Sequence, residues 1–182
     1  MARVSCILAD GFEEIEGLTV VDLLRRAQID VNMVSITGKL EVTGSHEIKI
    51  IADSLFHEED FNQTDMIVLP GGMPGTNHLG EYEPLIALLK DFNEKAKYIA
   101  AICAAPSVLG MNGLLTDKKA ISYPGFYDKL VGATIRDEKV VVDGNIITSK
   151  GLGTSIDFAL ALISILKDDE VSLSIGKSIQ YM

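Results

Sequence analysis

Residues 97–110 change from a strand pattern to a helix pattern with almost no loop between them. Tyr98 to Ile102 is a continuous run of apolar and small residues, which is typical of a fully buried parallel strand. Residues 104–106, Ala-Ala-Pro, suit a first helical turn, because proline lacks only an N–H that would have no partner there. The sequence therefore predicts a sharp strand-to-helix turn of the nucleophile-elbow type, with Cys103 at its tip.

The position of Cys103 predicts a reactive thiol. The start of a helix offers free N–H groups and a partial positive charge, and both favour the nucleophilic thiolate. The alternative is inert packing, since free cysteine is among the most buried residue types. The elbow pattern favours reactivity at Cys103, whereas Cys6 lies inside a predicted strand and is expected in the core.

Length and charge limit the classes of function. A chain of 182 residues is expected to form one domain, residues 1–182, with a single well-buried core. A formal net charge of −10 argues against nucleic acid and anionic membranes as partners. Two cysteines without a framework pattern indicate a reducing compartment. With no visible signal peptide or run of transmembrane length, the sequence predicts a cytoplasmic protein.

Short apolar runs alternate with amphipathic stretches along the chain. We predict strands over residues 3–9, 31–36, 65–69 and 98–102, and helices over 13–28, 84–96 and 156–166. Hairpins are predicted at 40–51 and at 140–148, a further strand at 120–123, and a short, partly helical end at 168–182. This alternation predicts an α/β fold built from right-handed βαβ units, with helices on both faces of a mostly parallel sheet.

Three polar or glycine-rich segments follow predicted strands. They are the turn at residues 10–16, the loop Pro70-Gly71-Gly72-Met73-Pro74-Gly75, and Cys103 itself. In a parallel sheet the carboxyl ends of the strands share one edge, and ligands bind there. We therefore expect the three segments to form one site.

Four segments in order resemble the DJ-1/ThiJ/PfpI superfamily over essentially the whole chain. They are Asp10-Gly11-Phe12-Glu13-Glu14-Ile15-Glu16, Leu69-Pro70-Gly71-Gly72, Ala101-Ile102-Cys103-Ala104-Ala105-Pro106 and Gly151-Leu152-Gly153-Thr154-Ser155. The resemblance implies a flavodoxin-like three-layer sandwich and a homodimer. Ala104 stands where peptidase-like and chaperone-like members place a histidine, so the resemblance is to the DJ-1 branch.

The resemblance also implies roles for particular residues. Cys103 is the implied nucleophile, and Glu16 is the implied carboxyl that reaches its sulfur. A carboxyl beside a thiolate is expected to have a raised pKa, so a protonated Glu16 could hydrogen-bond the thiolate or move protons on a substrate. Gly71 and Gly72, with the N–H of Ala104, are the implied oxyanion-binding groups. Glu13 and Glu14 are expected to be solvated charges on the first helical turn.

One departure from the family pattern concerns the third active-site residue. Tyr123, before Pro124, stands where members often carry a histidine, and a phenol of pKa near 10 is a poor base at neutral pH. His46 and His78 are candidate replacements, although an ordinary surface position is the simpler interpretation for both. Together with His57, these histidines show no metal-ligand spacing, and no phosphate-binding glycine motif is present. The sequence predicts neither a metal nor a cofactor.

Two functions follow from this resemblance. The first is a cofactor-free cysteine enzyme acting on small reactive carbonyls, of the glyoxalase or deglycase type, converting methylglyoxal to lactate. The second is an oxidative-stress sensor or protective, chaperone-like protein whose cysteine is oxidised to sulfinate. A weaker alternative is an amidase or peptidase, which the absence of a tandem Cys-His pair disfavours.

Overall fold

The computed structural model of the chain describes residues 2–182. Within that range the strands are β1 (Arg3–Leu8), β2 (Asp30–Ser35), β3 (Glu41–Thr43), β4 (Lys49–Ile51), β5 (Ser54–Leu55), β6 (Met66–Leu69), β7 (Tyr98–Ile102), β8 (Lys119–Ala120), β9 (Thr134–Ile135), β10 (Val140–Asp143) and β11 (Ile146–Ser149). The helices are α1 (Glu14–Arg26), α2 (Gly75–Glu81), α3 (Glu83–Glu94), α4 (Pro106–Met111), α5 (Ser155–Leu166) and α6 (Asp169–Ser178). Short 3-10 helices cover Phe56–Glu58, Phe61–Gln63, Pro124–Lys129 and Leu152–Thr154.

A seven-stranded sheet forms the centre of the fold. Its order is β10-β11-β7-β6-β1-β2-β5, and only the edge strand β10 runs antiparallel to its neighbour. The predicted α/β class with a mostly parallel sheet is confirmed. Two small sheets, β3-β4 and β8-β9, lie outside it.

Each central strand is buried on both faces. In β1 and the residue after it, Val4, Cys6 and Leu8 belong to one apolar core, and Ile7 and Ala9 belong to the other. The first core packs under α1, α5 and α6, and the second under α2, α3 and α4. Helices therefore cover both faces and complete three layers, and the predicted core position of Cys6 is confirmed.

Helix α1 carries the charge pattern that its dipole favours. Glu14 and Glu16 lie in its first turn, and Arg25 and Arg26 lie in its last. Its apolar residues recur at helical spacing and face α5 across the first core. The helix begins and ends within two residues of the predicted bounds.

Some predicted elements differ from the structure. The sequence did not predict α2, because Gly75–Glu81 contains a single large apolar residue, Leu79, and no helical periodicity. The strand predicted over 120–123 is reduced to Lys119–Ala120, since the N–H of Tyr123 turns away to donate to the carbonyl of Cys103. Residues 168–182 do contain a helix, α6, and the Asp168 side chain caps it by accepting from the N–H of Val171 at 2.8 Å.

Among the helices of residues 2–182, none combines the length and the apolar character that crossing a membrane requires. That residues 1–182 form one domain stays a prediction.

Candidate active site

Three neighbouring strands end at the candidate site. Strand β6 lies between β1 and β7, and the three run parallel. The turn after β1, the loop after β6 and Cys103 after β7 therefore emerge side by side. The predicted meeting of these segments at the carboxyl edge of the sheet is confirmed.

Cys103 has a backbone conformation that non-glycine residues rarely adopt. Its φ is 63°, in the left-handed region, which costs on the order of 1–3 kcal/mol unless the surroundings impose it. Its N–H donates to the carbonyl of Ser149 at 3.0 Å, and its own carbonyl accepts from the N–H of Tyr123 at 2.8 Å. These two bonds hold the elbow and leave the thiol half-buried rather than in the core.

Glu16 approaches the thiol from the first turn of α1. Its side chain is 1% exposed, and its Oε2 accepts from the N–H of Gly71 at 2.9 Å. A Cβ built at Gly71 would lie 2.7 Å from both that oxygen and the Cβ of Cys103, so no side chain fits between them. The other oxygen, Oε1, is buried without a hydrogen-bond partner of standard geometry among residues 2–182. Oε1 is therefore the oxygen of Glu16 that can carry a proton.

Burial changes the acidity of both groups in the pair. Desolvation, with the nearby charge of Glu13, raises the pKa of Glu16 to about 7, although the Cys103 side chain and the N–H groups of Gly71 and Leu152 act in the opposite direction. Desolvation and the ionised Glu16 raise the pKa of Cys103 to about 12. Two negative charges are disfavoured in this pocket, so above about pH 7 the pair holds one proton. The predicted rise for Glu16 agrees with the structure.

The surroundings of the Cys103 thiol oppose the expected effect of the helix start. The N–H groups of Ala104 and Gly72 do act on the sulfur and favour the thiolate, but desolvation and Glu16 outweigh them. A thiolate therefore forms when the shared proton moves to Glu16. Gly71 also differs from its expected oxyanion role, because its N–H is committed to Glu16. Gly72 and Ala104 remain as the two amides near the sulfur.

Glu14 is not the solvated charge that the sequence predicts. Its side chain is 3% exposed and accepts from the backbone N–H of His46 at 2.8 Å and from the His46 ring at 3.0 Å. Burial alone would raise its pKa, but hydrogen bonds from the His46 side chain and from backbone N–H groups, including that of Ile48, lower it to about 2. The hairpin β3-β4 covers this turn of α1, which the sequence pattern does not show.

The candidate replacement histidines lie elsewhere. His46 pairs with Glu14, and this hydrogen bond raises its pKa. The Nδ1 of His78 lies 2.8 Å from the carbonyl oxygen of Asp10, and His57 is exposed beside Glu58. Neither His46 nor His78 has a hydrogen bond to Cys103, so no Cys-His pair forms among the described residues.

One group of potential metal ligands arises from the fold rather than from sequence spacing. Ligand atoms of Glu13, Glu14 and His46 lie within 4.8 Å of one another. They come from α1 and from the hairpin, which explains why linear spacing does not show them. The Ser45 hydroxyl donates to both carboxylates, and the imidazole pairs with Glu14, so the group satisfies itself.

A cavity of about 380 Å³ lies close to Cys103, although Cys103 itself does not line it. Tyr123 and Pro124 form one wall, and the loop from Lys150 to Thr154 forms the other. A Cβ built at Gly151 would lie 3.6 Å from the Cys103 sulfur. Sequence reasoning singled out the motif at 151–155 but assigned it no place in the site. The missing signal was that β11, which precedes the motif, pairs with β7.

Two further cavities, of about 340 and 230 Å³, lie beside α2 and have no Cys103 in their lining.

The fold and the elbow define a class: α/β proteins with a cysteine at the strand-to-helix turn and a carboxyl beside it. The family model described as DJ-1/PfpI family matches residues 2–165. The chain belongs to the DJ-1/PfpI family, as the sequence predicts.

Relatives extend this assignment. "Protein DJ-1 homolog B" from Arabidopsis thaliana is 40% identical over 172 residues, covering 94% of this chain but only 39% of that protein. The solved structure "Toxoplasma gondii DJ-1, oxidized" has a TM-score of 0.96 and 36% identity, covering 100% of this chain and 99% of its own. "Deglycase PYRAB04690" from Pyrococcus abyssi is 29% identical over 167 residues, covering 91% of this chain and 99% of that protein.

Proposed function

We propose that this protein is a cofactor-free enzyme that converts 2-oxoaldehydes such as methylglyoxal into 2-hydroxy acids, or removes the same carbonyl groups from glycated amines and thiols. The observation that carries this proposal is the pair of Cys103 and Glu16: the carboxyl, 1% exposed and with a pKa raised to about 7, lies beside a half-buried thiol. A nucleophile and a general acid–base of pKa near neutrality are the two groups that this reaction needs.

The reaction begins when the shared proton moves to Glu16 and the Cys103 thiolate adds to the aldehyde carbon. The carbonyl oxygen takes the proton from Glu16, which gives a hemithioacetal near the N–H groups of Gly72 and Ala104. The Glu16 carboxylate then removes the proton from that carbon and returns it to the neighbouring carbon through an enediol. It likewise carries the hydroxyl proton to the former ketone oxygen, which leaves a thioester. Water hydrolyses the thioester, releasing the hydroxy acid and the thiol. The sum is aldehyde plus water to hydroxy acid, without external oxidant.

Similarity supports the same chemistry. The Pyrococcus relative is named a deglycase, and it aligns over nearly its whole length. Tyr123, in the position where members often have histidine, has no part in the proposed proton transfers, because Glu16 carries them all. Both cysteines are free thiols. We propose that the reaction takes place in the cytoplasm, where a reducing environment would keep Cys103 available.

The test is methylglyoxal consumption with chiral detection of lactate, in the absence of glutathione. Wild-type protein is expected to turn over, Cys103→Ser to lose turnover, and Cys6→Ala, which removes the core thiol, to keep it. Equal rates in wild type and Cys103→Ser would overturn the proposal. So would absence of turnover by wild type whose thiol is shown to be reduced.

A second candidate, an oxidation sensor, is favoured by two observations. The solved Toxoplasma relative is named as an oxidised form. The free Oε1 of Glu16 and the two amides near the sulfur are also donors that a sulfinate could use. Two molecules of hydrogen peroxide would each accept two electrons from the sulfur and leave as water, and Cys103 would gain two oxygen atoms.

Intact-mass measurement after mild peroxide treatment tests this candidate. Wild type is expected to gain two oxygen atoms at Cys103, and Glu16→Gln is expected to proceed more readily to the three-oxygen sulfonate. A Cys103 that stays an unmodified thiol would exclude the sensor.

We also propose that the protein is a homodimer, as the family resemblance implies. Large apolar side chains are exposed at the start of α1 and on the adjacent hairpin, at Ile15, Ile48 and Ile51. Light scattering is expected to give twice the monomer mass, and Ile48→Glu is expected to shift it toward the monomer. A wild-type monomer at micromolar concentration would refute this.

A further inference from the structure

The cavity near Cys103 is lined by large apolar side chains that remain exposed to water. Tyr123 is 53% exposed and Leu152 is 48% exposed, and both border the same cavity together with Pro124. Large apolar groups left in water around one concave opening are typical of a ligand site. The Tyr123 ring also lies near the Cys103 sulfur at Gly151, so a molecule bonded to that sulfur is well placed to cover these side chains.

Gly151, which lines the cavity, lies next to the Cys103 sulfur. A Cβ at this position would lie 3.6 Å from the Cys103 sulfur and 3.7 Å from Cδ2 of the Tyr123 ring. The missing side chain therefore leaves an opening between the thiol and the aromatic wall. A molecule bonded to the sulfur can extend through this opening into the cavity.

The size of the cavity argues against a very small substrate as the best one. Its volume of about 380 Å³ lies within the range of roughly 300–1,000 Å³ that holds drug-sized ligands. Methylglyoxal bound to Cys103 would leave most of this space filled with water. A larger apolar substituent would displace that water and cover the exposed walls, and this burial is favourable.

Charge in the cavity does not call for an anionic substrate. Lys150 is the cationic residue in the lining, and its ammonium group is paired with the carboxylate of Asp137. The other lining side chains are aromatic or aliphatic, apart from that of Thr154, whose hydroxyl donates to the carbonyl of Gly151 at 2.8 Å. A ligand in this cavity can therefore make apolar contacts and stack against the ring of Tyr123.

We propose that this cavity binds the substituent of the substrate's ketone carbon, and that the preferred substrates are 2-oxoaldehydes with an aromatic or branched alkyl group. Tyr123 and Leu152 are the specificity-determining residues. This inference rests on the proposed function, and it goes beyond it by naming the substrate class.

The experiment compares kcat/KM for phenylglyoxal and methylglyoxal in the full-length protein. Burying a ring in an apolar pocket is expected to favour phenylglyoxal by roughly 10- to 200-fold. Leu152→Ala and, separately, Tyr123→Ala are each expected to reduce this ratio about 3- to 10-fold. The control is Leu173→Ala, a leucine of similar exposure, 45%, on α6, which is expected to leave the ratio unchanged.

The outcomes distinguish a failure of this inference from a failure of the proposed function. Turnover of methylglyoxal with equal or lower kcat/KM for phenylglyoxal would overturn this inference and leave the proposed function standing. A preference for phenylglyoxal that Leu152→Ala and Tyr123→Ala leave intact would also overturn it, because the preference would then arise elsewhere. Turnover of neither aldehyde by reduced wild type would refute the proposed function, and this inference with it.

Discussion

Two glutamates one residue apart on α1 have opposite acidities. Glu14 and Glu16 are both almost fully buried, at 3% and 1% exposure, and both face the loops at the carboxyl edge of the sheet. The pKa of Glu14 falls to about 2, whereas that of Glu16 rises to about 7. Burial acts in the same direction on both carboxyls, and Glu16 is the more deeply enclosed of the two, so burial explains only part of the difference in pKa.

The hydrogen-bond partners of the two carboxyls account for the rest of the difference in pKa. Glu14 accepts hydrogen bonds from the backbone and the ring of His46, and these stabilise its charged form. Glu16 accepts a hydrogen bond from the N–H of Gly71 and faces a thiol, and among residues 2–182 its Oε1 has no hydrogen-bond partner of standard geometry. One carboxylate is therefore structural and permanently ionised, and the other is suited to exchange a proton at neutral pH.

The largest expected effect is a difference in catalytic activity between variants of Glu16 and of Glu14. Glu16→Gln removes the only proton-transfer group of the proposed mechanism and is expected to lower kcat/KM for methylglyoxal roughly 100- to 10,000-fold. Glu14→Gln has no such role and is expected to retain more than a tenth of the wild-type value. Steady-state kinetics at pH 8 measure both. Similar losses of kcat/KM in the two variants would show that Glu16 has no catalytic role that Glu14 lacks.

The pH profile sharpens the same distinction. Below pH 7, Glu16 keeps its proton while the thiol keeps its own, so the doubly protonated pair cannot supply a thiolate. We expect kcat/KM to fall about tenfold per pH unit below an apparent pKa near 7, and to stay level from pH 8 to pH 10. A flat profile between pH 5.5 and pH 8 would contradict the assignment of Glu16.

Substitutions of Glu16 and of Glu14 are expected to change the stability of the fold in opposite directions. The folded pKa of Glu16 lies above its ordinary value, so its ionisation destabilises the fold as pH rises from 4.5 to 7, and Glu16→Gln should stabilise it at pH 8. The folded pKa of Glu14 lies below its ordinary value, so its stabilisation is complete above pH 4.5 and is lost toward pH 2. Glu14→Gln should therefore destabilise at pH 8. Each change is on the order of 1–3 kcal/mol.

Thermal or urea unfolding of the two variants beside wild type measures these changes. At pH 4, the effect of Glu16→Gln is expected to vanish, because Glu16 is then protonated in both folded and unfolded chains. Destabilisation by both substitutions at pH 8 would refute the comparison.

The smallest expected effect concerns His46. Its hydrogen bond to Glu14 raises its pKa above the ordinary value of about 6.5. In Glu14→Gln, an NMR titration of the imidazole should give a lower pKa than in wild type. An unchanged value would show that Glu13, 3.7 Å from the ring, controls this histidine instead.

Much of the fold could be predicted from local patterns. The buried runs of β1, β6 and β7 and the amphipathic spacing of α1 and α3 are properties of consecutive residues, so the α/β class followed from them. Helix α2 could not be predicted, because its residues lack periodicity and tertiary contacts hold it above the second core. The elbow could be predicted because its strand, cysteine and proline are adjacent in the chain.

The site could be predicted only where strand ends or family resemblance indicated it. Cys103, Glu16 and the loop of Gly71 and Gly72 come together as expected. The use of the Gly71 amide by Glu16, and the burial of Glu14 under the hairpin, depend on contacts between segments far apart in sequence. No local pattern contains that information.

By itself, the sequence determined the layered fold, the position of the cysteine at the strand-to-helix turn and the family, because each depends on residue order along short segments. The tertiary structure alone decided the protonation chemistry. A pKa depends on desolvation and on the groups within a few ångströms, and for Glu14, Glu16 and Cys103 those groups come from other strands and loops. It also decided that Tyr123 and Leu152 stand on either side of the opening at Gly151.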